Sequence, residues 1–194
     1  MRWLVIGLIA ALGISGQERP TVTDTERLIV FPPEHAASLV VQCSRQVPEP
    51  VQGTWVPDST MIAKIEAALA AAFVQALDQA EVPTRSRHPL REYYRQYGGL
   101  VLGGRRTVYL NAFHQSHLEL PTKLTPPRAP IDWRSLAVNV CDGWVNYFGA
   151  TYATDLGKID TLVFNGRAML PNSALEPTAQ LEESMNALRL SASR

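Results

Sequence analysis

The chain has 194 residues, with 18 basic against 18 acidic side chains and an apolar content of 46%; this suits one domain around a single core. Balanced charge leaves neither a basic face for nucleic acid nor a polybasic patch for an anionic membrane. Only two cysteines are present, far apart in sequence, which excludes a redox CxxC motif and a zinc ribbon.

Arg2 precedes an uncharged apolar run over residues 3–14, and Gly13, Ser15 and Gly16 supply small residues for cleavage. This reads as a signal peptide over 1–16; a buried N-terminal strand or helix is the alternative. The run is too short to span a bilayer, which takes about 20 residues, and no transmembrane segment is expected later in the chain. No cysteine lies near the cleavage region, so lipid attachment of the lipoprotein kind is excluded. Cleavage would remove Arg2 and leave 17 basic against 18 acidic residues, a net charge of −1. The expected location is the periplasm or the medium. Oxidising surroundings favour a bridge between Cys43 and Cys141; two buried free thiols are the alternative.

Residues 17–35 read as a polar leader. Residues 36–43 alternate, with Leu39, Val41 and Cys43 on one face, and suggest a first strand. Three prolines and a glycine make 46–57 a loop. Asp58, Ser59 and Thr60 then offer N-cap oxygens, and 61–80 runs without glycine or proline as a helix. Ile62, Ile65, Leu69, Phe73, Ala76, Leu77 and Ala80 fall on one stripe, with Lys64, Gln75 and Asp78 opposite. Glu66 falls inside the stripe. A carboxylate there must be paired, protonated or at the edge of the interface. The expectation is a bond to an arginine or tyrosine of the sheet; the alternative has its methylenes covering the seam while the carboxylate reaches water.

The period then changes to two. Residues 93–102 and 106–113 flank Gly103-Gly104 as a hairpin. The segment 114–132, with four prolines, is expected to lack regular structure. Strands over 136–141 and 144–152 flank Asp142-Gly143 as a second hairpin, and a third turn leads into 159–165. The predicted fold is one α+β domain over 36–168. One long helix packs on a curved antiparallel meander sheet of about five strands, a cystatin-like or NTF2-like wrap by architecture alone. Gln96-Tyr97-Gly98-Gly99-Leu100 does not match the cystatin inhibitory Gln-x-Val-x-Gly stretch. Residues 169–194 read as a weakly ordered tail in which Leu181, Met185 and Leu188 are helix-spaced. Within it, residues 172–179 resemble a short segment at the ends of unrelated bacterial chains.

The runs at 94–97, 108–113, 133–134, 140–143 and 164–168 together resemble a family of small uncharacterised secreted bacterial proteins. The resemblance covers residues 93–168, with Trp144 standing where that pattern carries a second glycine. It implies export and this fold, and brings no activity.

Candidate chemistry is sparse. His114 and His117 have an H-x-x-H spacing that suits a shared metal only if the backbone turns helically between them. Ser116, His114 and Asp142 offer hydrolase residue types, but no nucleophile-elbow motif holds them. Aromatic residues crowd the strands. Alternation puts Trp144, Phe148 and Tyr152 on one face with Tyr147 on the other. An open aromatic face carrying Tyr97, Tyr109, Trp144 and Tyr147, with Glu66 at its mouth, would suit a small molecule, a glycan or a partner protein. The leading reading is an exported non-enzymatic binding or inhibitor-like protein, without a cofactor, using that face or the loop 113–133. A metal-binding protein or hydrolase centred on His114 and His117, and an envelope-structural protein, are the alternatives.

Overall fold

The computed structural model describes residues 24–45, 49–123 and 129–166; the expected signal segment and the tail lie outside them. The architecture is α+β: one long helix packed on an open, mixed sheet of six strands. The strands are β1 (Leu28–Val30), β2 (Val51–Trp55), β3 (Tyr93–Leu102), β4 (Arg105–His114), β5 (Tyr147–Ala153) and β6 (Lys158–Phe164). The helices are α1 (Pro33–Ala36), α2 (Ser59–Gln79) and α3 (Ser116–Lys123).

Strands β3 to β6 pair antiparallel in chain order, as the hairpin signals require. Gly103 and Gly104 both take positive φ at the β3–β4 turn, which glycine does without steric penalty. The free edge of β3 carries two further strands end to end: β1 runs parallel beside residues 95–97, and β2 antiparallel beside 99–102. The sheet is therefore not a five-strand meander. Its mixed edge comes from chain read as leader and loop, because Pro48, Pro50 and Pro57 lie outside β2 and leave its residues free to pair.

Two further expectations are corrected. Residues 36–43 form no strand: α1, with Pro33 at its start, continues into a 3-10 turn over Ala37–Val40. Ala36 and Leu39 are buried while Val41 is 68% exposed, a spacing of three rather than two. Residues 136–141 also form no strand, and Asp142-Gly143 is no hairpin. Gly143 does take a positive φ, but it opens a 3-10 turn over Trp144–Asn146 in front of β5.

Helix α2 follows the sequence closely. Asp58 caps it by accepting from the Met61 amide at 2.8 Å, and Ile62, Ile65, Leu69, Phe73, Ala76 and Leu77 are buried. It ends in a Schellman closure, with Val82 N–H donating to Leu77 C=O and Glu81 N–H to Asp78 C=O. Glu81 takes the left-handed position at φ 49° that glycine usually fills. By length and composition alone α2 is long and apolar enough to cross a membrane. Its apolar stripe lies instead against Tyr93, Tyr97, Val108, Leu110, Phe148 and Tyr152 of the sheet.

The other sheet face is covered as well. Phe31, Ala36 and Leu39 pack on Leu100, Leu102 and Tyr109, and Trp133 and Val138 pack on Phe113 and Tyr147. Adjacent glycines relieve crowding on the two faces: a Cβ on Gly98 would meet Leu39 of the second cover at 2.8 Å, and one on Gly99 would meet the ring of Trp55, its partner in β2, at 2.7 Å. The disulfide Cys43–Cys141, Cα–Cα 4.9 Å, joins the two parts of the second cover.

Neighbouring residues of β3 anchor the covers. Arg95 donates from Nε to Glu66 Oε1 at 2.8 Å, and Tyr97 Oη donates to the same oxygen. Arg95 is fully buried and the Glu66 side chain is 27% exposed, so the pair sits at the rim of the helix–sheet interface. On the opposite face Gln96 donates to the Trp133 and Leu136 carbonyls and accepts from Val138 N–H and Asn111 Nδ2. Every polar position of this buried amide is used.

Glu66→Ala should destabilise the protein by about 3 kcal/mol or more, the range for orphaning a buried charge. Urea denaturation checks this, and a loss below roughly 0.5 kcal/mol would mark an ordinary surface position. Cys43→Ser opens a closure of 98 residues and should lower the unfolding free energy by about 4–5 kcal/mol. An unchanged urea midpoint would show that Gln96 and Asn111 hold the cover unaided.

Candidate functional site

Among the described residues, ligand-type side chains converge at one end of the sheet. The β3–β4 register sets Tyr93 opposite His114, and Gln115 N–H continues the ladder to the Glu92 carbonyl at 2.9 Å. The 3-10 turn Leu90–Glu92 therefore delivers Glu92 beside His114. His114 Nε2 stands 3.1 Å from Glu92 Oε2, and His88 Nδ1 stands 3.9 Å from the same oxygen. The two imidazoles are stacked at 4.0 Å between centroids, tilted by 31°. Tyr93 forms the floor, its ring edge-on to both histidines and its hydroxyl donating to Val145 C=O at 2.7 Å.

The corner is graded in exposure, with His114 buried and His88 and Glu92 partly open to solvent. Burial is the main cause that lowers the His88 pKa; His114 adds to it, while Glu92 and a hydrogen bond to Asn146 oppose it. His114 Nδ1 faces the Ser116 hydroxyl at 2.9 Å and accepts from Ser116 N–H at 3.3 Å. Ser116, His114 and Glu92 thus form one hydrogen-bonded chain, with Glu92 in the place the sequence had offered to Asp142.

The H-x-x-H pair is not brought together. His114, at an even position of β4, faces the α2 side with Tyr93. His117, the second residue of α3, packs edge-on to Phe113 and hydrogen-bonds Tyr147 Oη through Nδ1 at 2.8 Å, on the other side of the sheet. The backbone changes from strand to helix between them, so the spacing of three does not put both rings on one face. His88 and Glu92 were missed because they sit in a connection without periodicity. The hairpin register does carry the signal, since pairing 93 with 114 places residue 92 beside the end of β4.

The aromatic face is not open. Tyr97, Tyr109 and Tyr147 are buried in three separate clusters, and Trp144 packs partly buried near Leu162 and Phe164. The sequence showed alternation but not the second cover. Glu66 belongs to the helix–sheet seam described above. Burial raises the pKa of Tyr97 well above its ordinary value, and the neighbouring Glu66 charge acts in the same direction.

A second polar centre lies under the cover. Arg45 is buried and donates from Nη2 to Asn111 Oδ1 at 2.6 Å and to Gln42 Oε1 at 3.0 Å. Its Nε and Nη1 have no hydrogen-bond partner among the described residues. A cavity of ≈ 100 Å³ between Glu49, Arg105, Thr151 and Asp160 opens at the far, Gly103-Gly104 end of the hairpin.

Comparison of the chain with protein families, curated proteins and solved structures gives no match.

Burial lowers the His117 pKa below its ordinary 6.5. The unfolded chain then binds more protons than the folded one between the two values. The stability from neutral His117 is complete above pH 6.5 and is lost as pH falls toward the folded value. His88 shifts in the same direction. The melting temperature should fall between about pH 7.5 and pH 5.5, and His117→Asn should make that fall shallower. An unchanged slope would show that His117 titrates as if exposed.

Proposed function

We propose that this chain is an exported, non-enzymatic binding protein whose ligand site is the His88–Glu92–His114 corner. The observation that carries the reading is the convergence of two imidazoles and one carboxylate at a partly open rim. The Cys43–Cys141 bridge supports a location in oxidising surroundings. The resemblance to small secreted bacterial proteins agrees with both, and the rigid hairpin beneath the corner suits a preformed site.

The Ser116–His114–Glu92 chain gives a second reading, a serine hydrolase. Against it, Ser116 lies two residues from His114 in one turn, and its backbone N–H and its hydroxyl both meet Nδ1. That arrangement closes the start of α3 rather than presenting a nucleophile to an acyl group.

The test follows the imidazole resonances of the purified, disulfide-intact protein against three ligand classes: divalent metal chlorides, short dicarboxylates and hexoses. At least one class should shift His88 and His114 while leaving exposed His35 in place. If no class moves the corner signals, the binding reading falls. A fluorophosphonate probe should leave Ser116 unlabelled, and covalent labelling there would establish the hydrolase instead.

A further inference from the structure

The corner has the donor set of a metal centre. His114 Nε2, Glu92 Oε2 and a His88 ring nitrogen all lie within 4.8 Å of one another. Around a tetrahedral ion with bonds of about 2.0–2.1 Å, two donor atoms sit about 3.3–3.4 Å apart. The two distances to Glu92 Oε2, 3.1 Å and 3.9 Å, bracket that spacing, and the histidine donors lie within 4.8 Å of each other, so the set closes when the part-exposed His88 ring turns out of its stack on His114. Glu92 and His114 cannot drift apart, because Tyr93 and His114 are paired in the ladder and Gln115 N–H bonds the Glu92 carbonyl. Ser116 holds the Nδ1 edge of His114, with its hydroxyl at 2.9 Å and its N–H at 3.3 Å, and so turns Nε2 toward the site. His88 supplies the third donor from the exposed side, between the 3-10 turns Thr84–Ser86 and Leu90–Glu92.

We propose that His88, Glu92 and His114 bind one divalent transition-metal ion of borderline softness, Zn²⁺ or Cu²⁺, with a fourth position left to solvent or an exogenous ligand. The proposal rests on the corner being the ligand site and names what it takes. Two imidazoles select against Mg²⁺ and Ca²⁺, which take all-oxygen sets. His114 gives the site a buried, fixed end, and the part-exposed His88 and Glu92 give the ion its way in. At the corner, binding replaces the apo Glu92–His114 hydrogen bond with two bonds to the metal. Coordination through Nε2 removes the proton that Nε2 gives to Glu92 before binding; the ring stays neutral by carrying its proton on Nδ1, which then donates to the Ser116 hydroxyl in place of accepting from Ser116 N–H.

The full disulfide-intact chain, stripped with chelator, is titrated calorimetrically with ZnCl₂ and with CuCl₂ alone. One equivalent should bind, with MgCl₂ giving no heat. His114→Ala and Glu92→Gln should each weaken binding by about 100-fold or more, and Ser116→Ala by about 10- to 100-fold. His117→Ala should leave it unchanged. His88→Asn alters only the exposed donor and tests the site even if His114→Ala fails to fold. X-ray absorption of the loaded protein should show two imidazole ligands. Absence of stoichiometric binding, or binding undiminished in His88→Asn and Glu92→Gln, overturns the metal site. If dicarboxylates or hexoses move the corner resonances while metals do not, the metal inference falls and the binding reading stands.

Discussion

Strand β3 carries two adjacent buried polar side chains that point in opposite directions, and each holds down one layer. Arg95 faces α2 and meets Glu66; Gln96 faces the second cover and makes four hydrogen bonds, donating two to the cover and accepting one from the cover and one from Asn111. Successive residues of a strand must alternate in this way. Because buried polar groups left without partners are expensive, neither the helix nor the covering chain can shift along the sheet without breaking its anchor. Apolar packing supplies most of the attraction on both faces, but it is non-directional. Arg95 and Gln96 fix the direction.

The same constraint locates the chemistry. With α2 on one face and the second cover over β3, β4 and the start of β5, while β6 keeps Asp160, Thr161 and Val163 exposed, accessible polar groups collect at the ends and edge of the sheet. One end of the β3–β4 hairpin holds His88, Glu92 and His114; the other holds Arg105 with Asp155, an exposed pair of the kind that contributes little stability. The histidine end is the better preformed of the two, since the ladder fixes two of its three side chains and Tyr93 fills the space beneath. The disulfide stabilises the second cover on the side away from this corner, and it suits the oxidising compartment in which the chain is proposed to work.

Elements governed by short-range pattern were legible in the sequence. The stripe of α2, its Asp58 cap, the Gly103-Gly104 turn and the alternation of β3, β4 and β5 all follow from spacing along the chain. Glu66 was legible for the same reason: a charge inside an apolar stripe requires a partner, and the neighbouring hairpin supplies Arg95 and Tyr97. The Asp142-Gly143 signal was half right. Its backbone turns as such a dipeptide prefers, yet the residues before it are held by Gln96 and Asn111 and never enter the ladder.

Composition and local periodicity by themselves determined the α+β class, the long helix, the central hairpin and the two cysteines free to join. Tertiary structure alone decided what covers the second face, that β1 and β2 complete the sheet edge, and which histidines meet. Those outcomes depend on contacts between segments tens of residues apart, where the chain carries no repeating pattern to announce them. His114 and His117, three apart in sequence, end on opposite sides of the sheet. His88 and His114, separated by an entire hairpin, stack at 4.0 Å, because strand pairing rather than sequence distance sets which side chains become neighbours.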